Sequence, residues 1–280
     1  MSIIYLDSEL RRLKEKDYKK IYKVLLNELQ LIDIPQMIFN LSNITTLCLA
    51  SNQIKYIPDS IENLQNLEYL YLSNNKICEI SDKISSLKKL KILHILNNGL
   101  ETINYGIINI LSLKELNVMG NDILIIPPNI KSLINLKELV LSFNSISDIP
   151  ETIGELLNLE KLFLHNNKIN KIPRSIGKLT KLKKLSLNNN FIENIPDTLY
   201  NLINLELHLE YNRLHHLSKK ILNIKKSHIA SNSYYNLDDL PNDLEYLQID
   251  ELDVPLLNLP CNLKEIRLYY NAPHIRIKSS

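Results

Sequence analysis

Residues 69–80 read "YLYLSNNKICEI". An alternating run from Tyr69 to Leu72 gives way to polar residues and then to Asn75. The same order returns every 23 residues, placing Asn52, Asn75, Asn98, Asn121, Asn144, Asn167 and Asn190 on one ruler. With a unit counted from Ile44, apolar residues occupy positions 1, 4 and 6 (Ile44, Leu47, Leu49), and Asn52 is position 9. Ile54, Ile57, Pro58, Ile61 and Leu64 follow at 11, 14, 15, 18 and 21, and Asn66 closes the unit. Later units begin at Leu67, Leu90, Leu113, Leu136, Leu159 and Leu182.

Positions 4 to 6 read apolar-x-apolar, the period of a short strand with one buried face. Positions 14, 18 and 21 keep the spacing of a short helical turn with one apolar side. Such a unit cannot bury its apolar edge alone, whereas stacked units can, so the period predicts a solenoid with a parallel sheet on one side. The asparagine follows the strand where the chain turns inward and leaves backbone groups without ladder partners. Orphaned buried backbone groups are costly, and an amide side chain supplies donors and an acceptor together. The expectation is a structural ladder of Asn52, Asn75, Asn98, Asn121, Asn144, Asn167, Asn190 and Asn212, each bonding to turns of its own and the next unit.

The segments "LEYLYLSNNKICEI", "LKELVLSFNSISDIPETIGELLN" and "LEKLFLHNNKINKIPRSIGKLTK" resemble leucine-rich repeats. The 23-residue length with "IPxxIxxL" on the far side is similar to the intracellular, Ras-group subclass. The resemblance covers roughly residues 21–232. It implies an α/β leucine-rich-repeat solenoid, or horseshoe, with a parallel concave sheet and short convex helices or turns. It also implies protein binding without catalysis, and by analogy a small GTPase or its signalling complex as partner.

The pattern bends at both ends. Residues 1–20 turn charged after six residues and read as an N-terminal capping helix, because a polar helix shields an exposed repeat edge. Repeats occupy 21–232, with a degenerate first unit whose ninth position is Leu29. Units of 23 residues run from 44, and shortened units follow 204. "IPQMIFNLSN" (34–43) could suggest an F-box, but the 23-residue register accounts for it better. Asn212 comes 22 residues after Asn190, and Asn232 comes 20 later. "LPNDLEYLQI" and "LPCNLKEIRL" start 19 residues apart, so 233–280 reads as short terminal repeats and a C-terminal cap.

The net charge of +2 points to no polyanionic partner. Cys48, Cys78 and Cys261 are few and widely spaced, which suits a reducing compartment rather than a disulfide scaffold. Together with the absence of an apolar leader or span, this gives the expectation of a cytoplasmic protein with no membrane or nucleic-acid partner. No phosphate loop, CxxC, HExxH or GxSxG occurs. We therefore expect no enzyme, no cofactor and no committed metal site. Cys48 and His94 share position 5 two strands apart, about 10 Å, too far for one ion at ~2.0–2.3 Å ligand distances. His208 and His228 occupy position 5 of neighbouring units, flanked by Glu206 and Glu210, and are kept as a minor metal-dependent alternative.

Outward strand positions need not be apolar for the solenoid to stack. Yet Tyr69, Tyr71, Ile92, Leu96, Met119, Val140, Phe143 and Phe163 are, with His94 and His165 among them. Contiguous apolar and aromatic surface marks interaction sites. The expectation is a scaffold that binds one or more partner proteins on this face, the identity open. An alternative is a substrate-recognition adaptor in a ubiquitin ligase, recruited through residues 1–20.

Overall fold

The structure, a computed structural model, describes residues 2–4, 12, 14–214, 218, 220, 221, 224, 226–229, 232 and the backbone of 246–249 and 265–268. It divides into two bodies, Met1–Asn144 and Ser145–Ser280. In the first, parallel strands β1 (Ser2–Ile4), β2 (Ile21–Leu25), β3 (Thr46–Cys48), β5 (Tyr69–Tyr71), β7 (Ile92–His94), β8 (Glu115–Asn117) and β9 (Glu138–Val140) lie side by side. On the loop side, β4 (Tyr56–Ile57) pairs with β6 (Glu79–Ile80). In the second body, β10 (Lys161–Phe163), β11 (Lys184–Ser186), β12 (Glu206–His208) and β13 (Lys226–His228) are parallel neighbours. There β14 (Tyr246–Ile249) pairs with β15 (Glu265–Leu268) in parallel. The rest of 233–280 lies outside the described residues. Each body is a run of a solenoid of the expected α/β type.

Register follows the sequence ruler. Thr46, Tyr69 and Ile92 are successive partners, each 23 residues on. Where units shorten, the strands stay in step: Lys184 pairs with Glu206 and Glu206 with Lys226. The missing residues are therefore taken from the loop side. Positions 4 and 6 (Leu47, Leu49, Leu70, Leu72, Leu93, Ile95) are fully buried. At roughly 1.5–3 kcal/mol for each such side chain, stacking these rows is the main favourable term.

The loop-side segments are mostly single 3₁₀ turns, such as Asp59–Asn63, Glu151–Glu155 and Arg174–Lys178. One residue precedes each turn and accepts from the residue three on, proline in most units and Ser81 before Asp82–Ser86. Pro58, Pro150 and Pro173 stand in extended backbone just before them, and their carbonyls accept from the residue three on: Ile61, Ile153 and Ile176. Asn104 replaces proline in one unit, and there a turn of α-helix forms, α2 (Tyr105–Ile108), capped by Asn104 Oδ1 accepting from Ile107 N–H at 3.2 Å. Adjacent turns pack closely enough that a Cβ on Gly154 would sit 2.4 Å from the Ser175 carbonyl oxygen.

Of the expected N-terminal capping helix, residues 5–11 and 13 lie outside the described residues. The helical part among described residues is one turn, α1 (Glu15–Tyr18), with no buried residue. Ahead of it β1 pairs with β2, and its Ile4 is buried. "SII" at 2–4 carries β-branched residues that suit a strand, and the charge of residues 7–20 drew the reading toward helix.

Candidate functional site

The asparagines fix the turn on which the outward face is mounted. Asn75 Nδ2 donates to the Leu49 carbonyl of the preceding unit at 2.9 Å and to its own Leu72 carbonyl at 3.0 Å. Its Oδ1 accepts from Ile54 N–H at 3.0 Å. Asn52, Asn98, Asn121, Asn190 and Asn212 make the corresponding bonds. Asn144 repeats them toward Ile123 and Val118, and Asn167 Oδ1 accepts from Ile146 N–H. The partners lie in the asparagine's own unit and the one before it, not the one after, which corrects the sequence expectation. Asn232 continues the series, with Oδ1 accepting from Leu214 N–H at 3.1 Å. Leu29, without an amide, receives help from the other side: Asn52 Oδ1 accepts from the N–H groups of both Leu29 and Leu31.

The residue before each asparagine was not singled out in the sequence, yet it is conformationally special. Ser51, Asn74, Asn97, Gly120, Phe143, Asn166, Asn189 and Tyr211 all have φ between 54° and 65°. Asparagine and glycine tolerate this left-handed region, while a bulky side chain there is an outlier. The recurring Asn-Asn of the sequence was the available signal. Asn97 Nδ2 donates to Asn74 Oδ1 at 2.8 Å, and Asn189 Nδ2 to Asn166 Oδ1 at 3.2 Å, a second amide row outside the buried one. Phe143 departs from this chemistry and is 51% exposed.

In the first body, strand pairing brings most of the sequence-derived band together. Tyr69 lies beside Ile92, and Tyr71 beside His94. Tyr71 and His94 meet edge to face at 5.2 Å between ring centres. Cys48 neighbours Tyr71, so Tyr71 stands between Cys48 and His94. Tyr69, Tyr71, Ile92, His94, Leu96 and Met119 are half-buried. Val140 was expected on the surface but is only 8% exposed. Phe163 and His165 belong to the second body. Glu115 comes within 2.6 Å of His94 Nε2. Burial pushes the Cys48 thiol up to about 11 against a smaller opposing effect of Lys23, the reverse of an activated nucleophile. Burial, with Cys48, Glu115 and Tyr69 adding to it, also raises the Tyr71 phenol.

The second body presents ionisable groups at the matching positions. Lys184 Nζ lies 2.9 Å from Glu206 Oε1, which also faces His208 Nε2 at 2.8 Å. Hydrogen bonds from Lys184 and then His208 hold the Glu206 carboxyl down at about 2. Burial works against charging His208, but hydrogen bonds to Glu210 and Glu206 outweigh it and raise the imidazole above its ordinary value. His165, by contrast, is lowered by burial and by the nearby His208 charge. Among the described residues no helix is long and apolar enough to cross a membrane, and Cys48 and Cys78 are free thiols.

Two family models match the chain, "Leucine-rich repeat region" over residues 127–226 and "Leucine Rich repeats (2 copies)" over 42–85. No curated protein matches it. Among solved structures, it is similar to a leucine-rich repeat protein of Leptospira interrogans at 26% identity and TM-score 0.60, covering 92% of this chain and 81% of that one. An internalin (inlF) of Listeria monocytogenes gives 21% identity and TM-score 0.77, over 93% and 79%. The ectodomain of the Arabidopsis thaliana membrane receptor kinase GASSHO1/SCHENGEN3, solved in complex with CASPARIAN STRIP INTEGRITY FACTOR 2, gives 26% and 0.70, over 92% of this chain and 40% of that one.

Proposed function

Because the chain belongs to the leucine-rich repeat proteins, we propose that it is a non-catalytic module that displays the outward face of its first body to a partner protein. The observation that carries this reading is a mismatch between need and chemistry. Stacking requires only the inward rows and the asparagines. The outward rows nonetheless place Tyr69, Tyr71, Ile92, Leu96 and Met119 on one half-exposed face. Phe143 extends the same chemistry into a left-handed turn position where it is strained. Aromatic and methionine anchors are typical of protein interfaces. The receptor ectodomain, solved bound to a partner, supports display as the mode of action.

The location we propose is cytoplasmic, supported by the free Cys48 and Cys78 thiols. The ligase-adaptor reading predicts that deleting residues 1–20 removes one interaction and leaves the fold intact. Since β1 is paired into the sheet, we expect that deletion to expose the β2 edge and lower stability instead.

The test is a paired capture from cell lysate with wild-type protein and a Tyr71→Thr/Met119→Thr variant, threonine being compatible with strands. Truncating central anchors costs an interface about 2 kcal/mol or more each. We expect a protein retained by wild type and released by the folded variant. Identical captures by the two baits would contradict the proposal.

A further inference from the structure

Strands β12 and β13 set three metal-ligating side chains at the corners of a triangle. Glu206 and His208 are two residues apart on one strand and so share a face. His228 is directly opposite His208 in the register. The two imidazoles stack at 4.4 Å between centres and 3° between planes. One ligand atom from each of Glu206, His208 and His228 lies within 4.8 Å of the others, and all three residues are half-buried. Tetrahedral ligand atoms on a zinc-like ion are about 3.3 Å apart when bonds are about 2.0–2.1 Å. Rotation about side-chain torsions covers that difference with the strands in place.

A second observation comes from Glu210. Its Oε1 lies 3.3 Å from His208 Nδ1, while its Oε2 is buried without a hydrogen-bond partner among the described residues. His208 is thus held between two carboxylates, Glu206 at Nε2 and Glu210 at Nδ1. A neutral imidazole has one N–H and cannot donate to both. The imidazolium satisfies both carboxylates, and a cation on Nε2 does so too: Nε2 becomes a ligand beside the Glu206 carboxylate, and Nδ1–H donates to Glu210. That is the carboxylate–imidazole–metal order by which proteins orient a ligating histidine.

We propose that Glu206, His208 and His228 bind a divalent transition-metal cation with zinc's taste for nitrogen and oxygen ligands, Glu210 orienting His208. Two imidazoles and one carboxylate are a known zinc donor set that leaves a further coordination position open. Here that position faces away from the sheet interior, toward water or a side chain of a bound protein. Lys184 shares Glu206 Oε1, so the cation competes with it or takes the second oxygen.

The test uses the 280-residue chain without an affinity tag, stripped by a chelator, dialysed and titrated with ZnCl₂ by calorimetry, with Co²⁺ absorption as a check on geometry. We expect one ion per chain at micromolar protein. His208→Ala and His228→Ala should each weaken binding by about tenfold or more, and Glu206→Gln, which keeps the shape, should weaken it as well. His94→Ala should leave binding unchanged. Circular dichroism establishes that each variant is folded. Failure of wild-type protein to bind Zn²⁺ stoichiometrically would overturn the proposal, whatever the variants do. So would binding that survives both histidine substitutions, or binding lost instead in a His215→Ala/His216→Ala variant.

Discussion

Asn121 of the first body and Asn190 of the second make the same bonds. Each accepts one backbone N–H from the preceding unit and donates to one carbonyl there and to its own turn. Both are buried. At the outward fifth position the bodies part company. The first shows Cys48, Tyr71, His94, Asn117 and Val140, and the second Phe163, Ser186, His208 and His228. Stacking dictates the inward chemistry in every unit and is indifferent to the outward chemistry. Each body is therefore free to carry its own surface on an identical frame: Tyr71 packed on a His94–Glu115 pair in one, Phe163 beside the paired Lys184, Glu206 and His208 with His228 in the other.

The sharpest way to break that comparison is at its shared part. Asn121→Ala leaves the Leu100 N–H without its acceptor and removes one of two side-chain donors from the Ile95 and Val118 carbonyls, which keep Asn98 and Asn144. Leaving that buried N–H unpaired and thinning the bonding of the two carbonyls should cost roughly 1–3 kcal/mol. Asn190→Ala should cost about as much, read as a fall in denaturant midpoint. A large inequality between the two would mean the bodies do not rest on the same device. Close packing of neighbouring loop-side turns is shared too. Gly154→Ala would drive a Cβ to 2.4 Å from the Ser175 carbonyl oxygen, and Gly106→Ala one to 2.7 Å from Asp82 Cα. We expect about 1–3 kcal/mol of destabilisation from each in thermal unfolding.

Phe143→Asn works in the opposite direction. Asparagine occupies the same left-handed turn position at 74, 97, 166 and 189. The substitution should raise stability by about 1 kcal/mol while weakening capture of the partner. A loss of stability would show that Phe143 is part of the packing and not of the display.

The smallest expected effects distinguish the second body. Followed by NMR in the presence of a chelator, His208 should take up its proton at a higher pH than His165, because their values move in opposite directions. The His208 contribution to stability is full below the ordinary histidine value and fades as pH rises through its raised one. Glu206 contributes above the ordinary carboxylate value and loses that contribution as pH falls toward about 2. A reversed order of the two histidines would contradict the ion-pair description of this face.

The solenoid, the strand positions and the asparagine ladder were legible in the sequence because one physical demand, burial of a stackable edge, repeats along the chain. What repeats only in backbone angle was harder to read. The left-handed position holds serine, asparagine, glycine, phenylalanine and tyrosine, so side-chain class alone does not announce it. The N-terminal strand was hidden by the charged stretch beside it, and its pairing depends on β2, a contact no local pattern encodes. The outward band was legible as composition, but Val140 sank into the sheet. The pairing of Glu206, His208 and His228 could be placed by counting positions, whereas the role of Glu210 depended on side-chain geometry.

The central claim is that the outward face is dispensable for folding and present for binding. Urea unfolding of the Tyr71→Thr/Met119→Thr variant beside wild type and Asn121→Ala tests it most directly. The account predicts a midpoint close to wild type, within the ~1 kcal/mol span of strand preferences, while Asn121→Ala falls well below. A double variant that loses as much stability as Asn121→Ala would show that the outward residues hold the fold together, and the claim would be wrong.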